Sequence, residues 1–334
     1  MRVIFDHPDP FLLCHGGFQI QIEQTFSALR DAKVDVEYLR WWDDRQSTDI
    51  IHYFGRPSPA YVNQAQKKGI RIVMAQLLTG LGSRSRRVVP FQKAVITLAR
   101  KTLPNMITAR FAWDVFKQVD AVIALTPWEG HLMTYMFGAP KEKVRVIGNG
   151  VEQVFLQSAP ATRGQWLVCT ATITGRKRVL ELAEAAVMAK MPLWIIGKPY
   201  ADSDPYAQRF LTVARQNSQT VRYEGAISDR PRLARIYREA RGFVLLSTME
   251  SLSLSALEAA ACECPLLLSD LPWARTTFGE NASYCPITSP SQTVARLRTF
   301  YDSAPTLKAP PKPPAWIEIA AQLKKVYQLV LKDA

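Results

Sequence analysis

The feature of this 334-residue chain that most constrains its fold is a repeated alternation of short apolar runs with segments of helical periodicity. Within the runs, apolar residues follow one another without the polar alternation of a half-exposed strand. Strands that are apolar on both faces are typical of parallel sheets covered by helices. We predict strands at residues 2–5, 34–39, 50–54, 70–76, 119–127 and 143–151, and then at 166–171, 192–197, 220–225, 243–247 and 265–270.

A loop at residues 157–164 separates the two series, so the chain is predicted to be an α/β protein with two Rossmann-like, doubly wound domains facing a central cleft. The predicted domains span residues 1–155 and 156–310. Residues 311–334 are expected to form a helix that packs back on the first domain, after a proline-stiffened connector at 307–316. The apolar stripe of this helix comprises Trp316, Ile319, Ala320, Leu323, Val326, Tyr327 and Val330.

Composition narrows the class of protein further. The N-terminal segment lacks the apolar core of a signal peptide, and no apolar run approaches the ~18–20 residues of a membrane span. The cysteines are odd in number and irregularly spaced, which argues against a disulfide framework and predicts buried free thiols in a cytoplasmic, reducing compartment. They are residues 14, 169, 262, 264 and 285.

The net charge of +13 is unevenly distributed. Residues 51–117 carry 12 Lys and Arg residues against the single acidic residue Asp114. Within this block, residues 84–113 interleave cations with apolar side chains, as interfacial helices do. We therefore expect these residues to bind an anionic membrane surface, which would make the protein peripheral on the inner face of the membrane. The alternative is a solvated helix face whose counter-charges lie elsewhere. The interleaved apolar residues are Val88, Phe91, Val95, Ile96 and Leu98.

Two carboxylates stand out in the stretch MESLSLSALEAAACECP, residues 249–265. Glu250 follows a predicted strand, at the sheet edge where open parallel sheets bind ligands. Glu258 lies eight positions later in an Ala-rich helix. Because an ionised carboxylate can accept hydrogen bonds from paired hydroxyls, the two glutamates could hold two polyols of one ligand. A local alternative exists for Glu258, since it forms a capping box with Ser255.

Other segments of the second half carry features of an anion site. Arg176, Lys177 and Arg178 stand between a strand and the start of a helix, where cations and free backbone N–H groups suit a phosphate. The alternative is an exposed basic turn. Gly225, at a strand exit, either lets the backbone approach a flat ring or only makes the turn. Ser251, Ser253 and Ser255 can each cap the helix that follows Glu250.

These segments, taken in order, resemble the retaining GT-B glycosyltransferases of family 4. Glu250 and Glu258 match the E-x7-E pattern of that family. The stretches ITGRKRVLELAEA, PLWIIGK, VRYEGAISD and VIGNGVE, and the C-terminal helix, are similar to family stretches as well. The resemblance covers roughly residues 119–330 well and the first hundred residues in outline.

The resemblance implies a role for each matching residue. Glu250 would hold hydroxyls of the donor sugar, Glu258 the ribose hydroxyls and Lys177 the diphosphate, while Gly225 would lie under the base. Backbone groups around Leu252, Ser253 and Leu254 would meet the sugar and phosphate, and Gly16 and Gly17 would close over the donor. The implied site residues are Glu250 and Lys177 as catalytic residues, and Gly16, Gly17, Arg176, Arg178, Gly225, Leu252, Ser253, Leu254 and Glu258 as donor-binding residues.

The implied function is the transfer of a hexose, with retention, from a UDP- or GDP-sugar to a glycan or lipid-linked acceptor in cell-surface polysaccharide or glycolipid synthesis. No metal or other cofactor is expected, because cationic side chains would neutralise the leaving group. Thr172 stands where the family usually has Arg, and Gln76 and Leu77 stand near the place of a frequent His. A catalytically silent nucleotide-sugar binder is therefore one alternative. A basic nucleic-acid-binding protein is another, although no nucleic-acid-binding motif supports it.

Overall fold

The structure is a computed structural model that describes residues 1–8, 10–12, 16–159 and 161–332. The described strands form two six-stranded sheets, and within each sheet every pair of neighbouring strands is parallel. Two compact units contain these sheets: residues 1–150 with 316–334, and residues 151–315. The prediction of two parallel Rossmann-like α/β sheets is thus confirmed.

The sheet of the first unit has the strand order β2-β1-β3-β4-β5-β6. Its strands are β1 (Arg2–Asp6), β2 (Asp35–Tyr38), β3 (Ile50–Phe54), β4 (Arg71–Ala75), β5 (Ala121–Ala124) and β6 (Val144–Val146). Its helices are α1 (Gly17–Asp31), α2 (Pro59–Lys67), α3 (Thr79–Gly82), α4 (Val89–Thr102), α5 (Asn105–Arg110), α6 (Val115–Gln118) and α7 (Pro127–Phe137), with a 3-10 turn at Lys141–Lys143. β3 and β4 are almost wholly buried, as their predominantly apolar sequences predict.

The sheet of the second unit has the order β12-β11-β10-β7-β8-β9. Its strands are β7 (Leu167–Thr170), β8 (Leu193–Ile196), β9 (Val221–Tyr223), β10 (Gly242–Leu245), β11 (Leu266–Ser269) and β12 (Ser283–Cys285). Its helices are α8 (Gln153–Leu156), α9 (Val179–Ala189), α10 (Pro205–Gln216), α11 (Arg230–Glu239), α12 (Leu254–Ala261), α13 (Pro272–Phe278) and α14 (Pro290–Ser303), with 3-10 turns at Gly175–Lys177 and Ala304–Thr306.

The C-terminal helix α15 (Trp316–Lys332) belongs to the first unit and packs on α1, as predicted. All seven residues of the predicted apolar stripe are buried. Two polar contacts fix the helix in place: the hydroxyl of Tyr327 lies 2.6 Å from His52 Nδ1 on β3, and Lys324 donates to the carbonyl oxygen of Ala32 at 3.0 Å. Burial lowers the pKa of His52 to about 3, so its imidazole is neutral at neutral pH.

The four cysteines in the described ranges are packing residues. Cys169, Cys262, Cys264 and Cys285 are free and buried, and burial raises the pKa of the thiols of Cys169, Cys262 and Cys264 to about 12. Cys14 lies outside the described residues. No helix in the described ranges is both long enough and apolar enough to cross a bilayer.

Gly197, which follows β8, allows the neighbouring strands β7 and β8 of the second unit to end close together. Its φ is 150°, and a Cβ added there would lie 1.8 Å from the carbonyl oxygen of Ala171, which follows β7. We predict that Gly197→Ala lowers the free energy of unfolding by about 3 kcal/mol, because the side chain adds both backbone strain and overpacking. Chemical denaturation measures this change.

Gly164→Ala is the matched control for Gly197→Ala. A Cβ at Gly164 would lie 3.5 Å from the nearest carbonyl oxygen, that of Glu239, which is an ordinary van der Waals contact. The control variant is expected to unfold within about 0.5 kcal/mol of the wild type. Equal stability of the two variants would contradict the close approach at Gly197.

Candidate active site

The loop between β10 and α12 carries Glu250. Strand β10 ends at Leu245, earlier than the sequence predicts, so Glu250 lies inside this loop rather than directly after the strand. Its side chain is buried, with 7% of the residue exposed. A carboxylate removed from water to this degree needs charged or hydrogen-bonding partners.

The turn after β7 brings two cations to Glu250. Lys177 Nζ forms an ion pair with Glu250 Oε1, and Arg176 Nη1 lies 3.4 Å from the same oxygen. Arg176 also donates to the carbonyl oxygen of Met249 at 2.8 Å, and the backbone N–H of Thr248 donates to the carbonyl oxygen of Arg176 at 2.8 Å. The turn and the loop are therefore joined through both backbone and side chains.

Arg178 plays a different part in the same turn. It adopts the left-handed conformation, with φ of 53°, immediately before α9. Burial raises the pKa of Tyr206 and of Cys285, and the charge of Arg178 acts in the opposite direction. No described residue forms a hydrogen bond with the buried Nε atom of Arg178. Of the three cations that the sequence singles out, the structure joins Arg176 and Lys177 to Glu250.

The helix α12 begins two residues earlier than a capping box at Ser255 requires. Ser253 is the N-cap residue, and its Oγ accepts a hydrogen bond from the backbone N–H of Ala256 at 3.4 Å. Ser255 lies inside the helix, so the local explanation of Glu258 as a capping residue is wrong. The N-terminal N–H groups of α12 follow the Glu250 loop, with Leu252 and Leu254 half-buried on either side of Ser253.

Glu258 is the second buried carboxylate, with 7% of the residue exposed. Its Oε1 forms an ion pair with Arg230, and its Oε2 lies 3.4 Å from the hydroxyl of Tyr237. Arg230 also contacts Glu152 Oε2 at 2.5 Å and lies over the ring of Phe155. Burial raises the pKa of Glu258, and the charge of Arg230 acts in the opposite direction.

Arg230 and Glu152 are the site residues that sequence reasoning missed. Arg230 is the first residue of α11, and Asp229 caps that helix by accepting from the backbone N–H of Arg232 at 2.9 Å. The cap signal at Asp229 predicts where the helix begins. The pairing of Arg230 with Glu258 depends on the tertiary fold.

The glycines of the predicted site lie in two places. Gly225 follows β9 with φ of 83°, and a Cβ added there would meet no described atom within 4 Å, so its backbone faces open space. Gly16 and Gly17 lie in the first unit, where Gly16 has φ of 139° and Gly17 begins α1. Residues 13–15, which precede them, lie outside the described residues.

The places where the sequence departs from the family pattern are also structurally defined. Thr172 is partly buried just after β7, and Gln76 donates to the carbonyl oxygen of Leu77 at 2.6 Å. Near Leu77, the buried Glu129 accepts hydrogen bonds from the backbone N–H groups of Leu78 and Leu125 at 2.9 and 3.0 Å. Within the described ranges, no group of three His, Cys, Asp or Glu residues is arranged to hold a metal ion.

Part of the chain matches a known family model, and the whole chain is similar in fold to solved structures. A family model described as "Glycosyl transferases group 1" matches residues 164–303, which include both glutamates and the basic turn. The sucrose-phosphate synthase of Thermosynechococcus elongatus is similar in fold over 100% of both chains, with a TM-score of 0.69 at 16% identity. The structure of Anabaena HepE in complex with UDP covers 100% of this chain and 99% of its own, with a TM-score of 0.66 at 12% identity.

Two curated relatives are similar in sequence. The D-inositol 3-phosphate glycosyltransferase of Jonesia denitrificans is 29% identical over 198 residues, which is 51% of this chain and 45% of the relative. The alpha-galactosylglucosyldiacylglycerol synthase of Streptococcus pneumoniae is 22% identical over 274 residues, 77% of this chain and 68% of the relative. The two parallel six-stranded sheets and the similar solved structures show a GT-B-like fold. Residues 164–303, less than half of the chain, are similar to the group 1 glycosyltransferases.

Proposed function

We propose that the chain transfers a hexosyl residue, with retention of the anomeric configuration, from a UDP- or GDP-linked sugar to a glycan or lipid-linked acceptor. The observation that carries this proposal is the placement of Glu250 and Glu258, buried and paired with cations, in the loop and helix that follow β10. Donor binding is assigned to the predicted domain 156–310 and acceptor binding to 1–155. The UDP bound in the HepE structure supports a nucleotide donor.

Departure of the nucleoside diphosphate builds negative charge that must be neutralised. Lys177 and Arg176 supply two positive charges on one short turn, and the N-terminal N–H groups of α12 add a positive dipole end. In the structure both cations are paired with Glu250, so an arriving diphosphate takes over part of that pairing. Glu250 then accepts hydrogen bonds from sugar hydroxyls, while Gly225 leaves backbone exposed to a base.

We predict that one nucleoside diphosphate sugar among UDP-, GDP-, ADP- and dTDP-sugars raises the melting temperature of the protein. At a concentration about 100 times the Kd, the expected stabilisation is about 2.7 kcal/mol. Glu258→Gln is expected to remove most of the shift, because an amide loses the charge that ribose hydroxyls bind. No shift with any of the four would contradict donor binding.

Lys177→Ala is expected to lower kcat/KM by about 100-fold or more, because a charge that stabilises the leaving group contributes about 3 kcal/mol. Sugar transfer or donor hydrolysis followed by nucleotide release measures the effect. Lys308→Ala, at an exposed position of the same unit, is the control and should leave kcat/KM unchanged. Wild-type protein that binds a donor but never releases its nucleotide would instead indicate a silent sugar-nucleotide binder.

The same proposal places the protein on the cytoplasmic face of an anionic membrane, through residues 84–113. The outward side of α4 is apolar: Phe91, Val95 and Leu98 are 71%, 50% and 62% exposed. Its inward side carries cations, with Lys93 Nζ 3.9 Å from the ring centroid of Tyr135 on α7. Val89 and Ile96 pack against the core of the first unit, so α4 carries apolar side chains on its exposed side in addition to its packed side.

Charge around this outward side of α4 favours anionic lipid. Residues 84–113 contain seven cations and no acidic residue, and five of these cations lie at exposed positions: Arg84, Arg86, Arg87, Lys101 and Arg110. Each Lys or Arg near an anionic bilayer contributes about 1 kcal/mol to binding. The name of the Streptococcus relative describes synthesis of a glycosylated diacylglycerol, which supports a lipid-linked acceptor.

We predict that the wild type floats with phosphatidylglycerol vesicles and that Phe91→Ser with Leu98→Ser weakens binding at least tenfold. Loss of two inserted apolar side chains costs about 3 kcal/mol or more. Met188→Ser, at a position 61% exposed in the second unit, is the matched control and should float like the wild type. Equal flotation with neutral vesicles, or none with anionic ones, would contradict the membrane surface.

A further inference from the structure

The charged cluster around Glu258 contains two residues, Arg230 and Glu152, in addition to the carboxylate that is proposed to bind the nucleotide. Glu258 on α12, Arg230 at the start of α11 and Glu152 just before α8 lie in a row, with Arg230 between the two carboxylates. The ion pairs join residues 28 and 78 positions apart in the chain. Three segments of the second unit therefore meet at one guanidinium.

We infer that Arg230 is a positioning residue for the donor site: it holds the Glu258 carboxylate ionised and oriented so that its remaining lone pairs accept hydrogen bonds from the ribose hydroxyls. This inference rests on the proposed function, since it takes Glu258 as the ribose ligand. Arg230 contacts Oε1 of Glu258, and each carboxylate oxygen keeps capacity for further hydrogen bonds.

The surroundings of Glu258 explain why such a residue is required. Its charged neighbours are Arg230 and Glu152, and its titratable neighbours are Tyr237 on α11 and Cys262 at the end of α12. Only Arg230 among these carries positive charge, while burial and the Glu152 carboxylate both favour the protonated acid. A protonated Glu258 would donate one hydrogen bond and lose the charge that strengthens the others.

Glu152 fixes Arg230 from the opposite side. Its Oε2 lies 2.5 Å from Arg230 Nε, and the guanidinium lies 4.7 Å from the ring centroid of Phe155. The planar guanidinium can bond two carboxylates through different edges, which a lysine ammonium does with less geometric control. The guanidinium orientation, and with it the orientation of Glu258, is thus set by three contacts.

The test measures binding of UDP and GDP, and of their 2′,3′-dideoxy forms, by calorimetry over a range of pH. The wild type is expected to bind the ribose form of its nucleotide about tenfold or more tightly than the dideoxy form. Its affinity should fall as the pH is lowered through the pKa of Glu258. In Arg230→Gln the two forms should bind alike at neutral pH, and the fall should begin at higher pH, because removing the cation raises the pKa of Glu258.

Three further variants separate positioning from folding. Arg230→Lys keeps the charge and should restore part of the preference for ribose. Glu152→Gln removes a negative charge and should move the acid limb to lower pH. Arg235→Gln, at an exposed position on the same helix α11, should match the wild type throughout.

The possible failures are distinguishable. Equal binding of ribose and dideoxy forms by the wild type, or no binding of any nucleotide, would overturn the role of Glu258 and therefore the proposed function. A wild-type preference for ribose that persists unchanged in folded Arg230→Gln would overturn the role of Arg230 alone.

Discussion

A carboxylate that is removed from water needs a cation or hydrogen-bond donors beside it, and the second unit contains two such carboxylates, both paired with cations. Lys177 and Arg176, in the turn after β7, form ion pairs with Glu250 in the loop after β10. Arg230, at the start of α11, pairs with Glu258 on α12 and with Glu152 just before α8. Together with hydrogen bonds such as that from the Thr248 N–H to the Arg176 carbonyl oxygen, these ion pairs decide which polar groups face one another where the strands end.

Much of this fold follows from the sequence because its signals are local. Unbroken apolar runs predict buried parallel strands, and the stripe from Trp316 to Val330 predicts a packed final helix; both are as observed. The start of α12 was ambiguous, since Ser251, Ser253 and Ser255 can each serve as a cap. The structure uses Ser253, and Glu258 then falls in the interior of the helix beside Arg230 rather than at its cap.

Contacts between residues that are distant in sequence cannot be predicted from such local signals. Nothing in the local pattern around Glu152 or Arg230 indicates that the two residues meet, because their contact depends on the order of strands in the sheet. The orientation of α4 was equally hidden. Periodicity identifies its two faces, but it does not indicate that Lys93 and Arg100 lie over the rings of Tyr135 and Trp113 while Phe91, Val95 and Leu98 stay exposed.

The position of α15 in the first unit bears on the order in which the chain can fold as it is synthesised. The second unit is continuous in sequence, whereas the first lacks α15 until the ribosome has made every residue of the second. The contact between His52 on β3 and Tyr327 therefore cannot form until the intervening chain has been synthesised. The unit that starts first is completed last, and during that interval the face of α1 that receives α15 is open to other apolar surfaces.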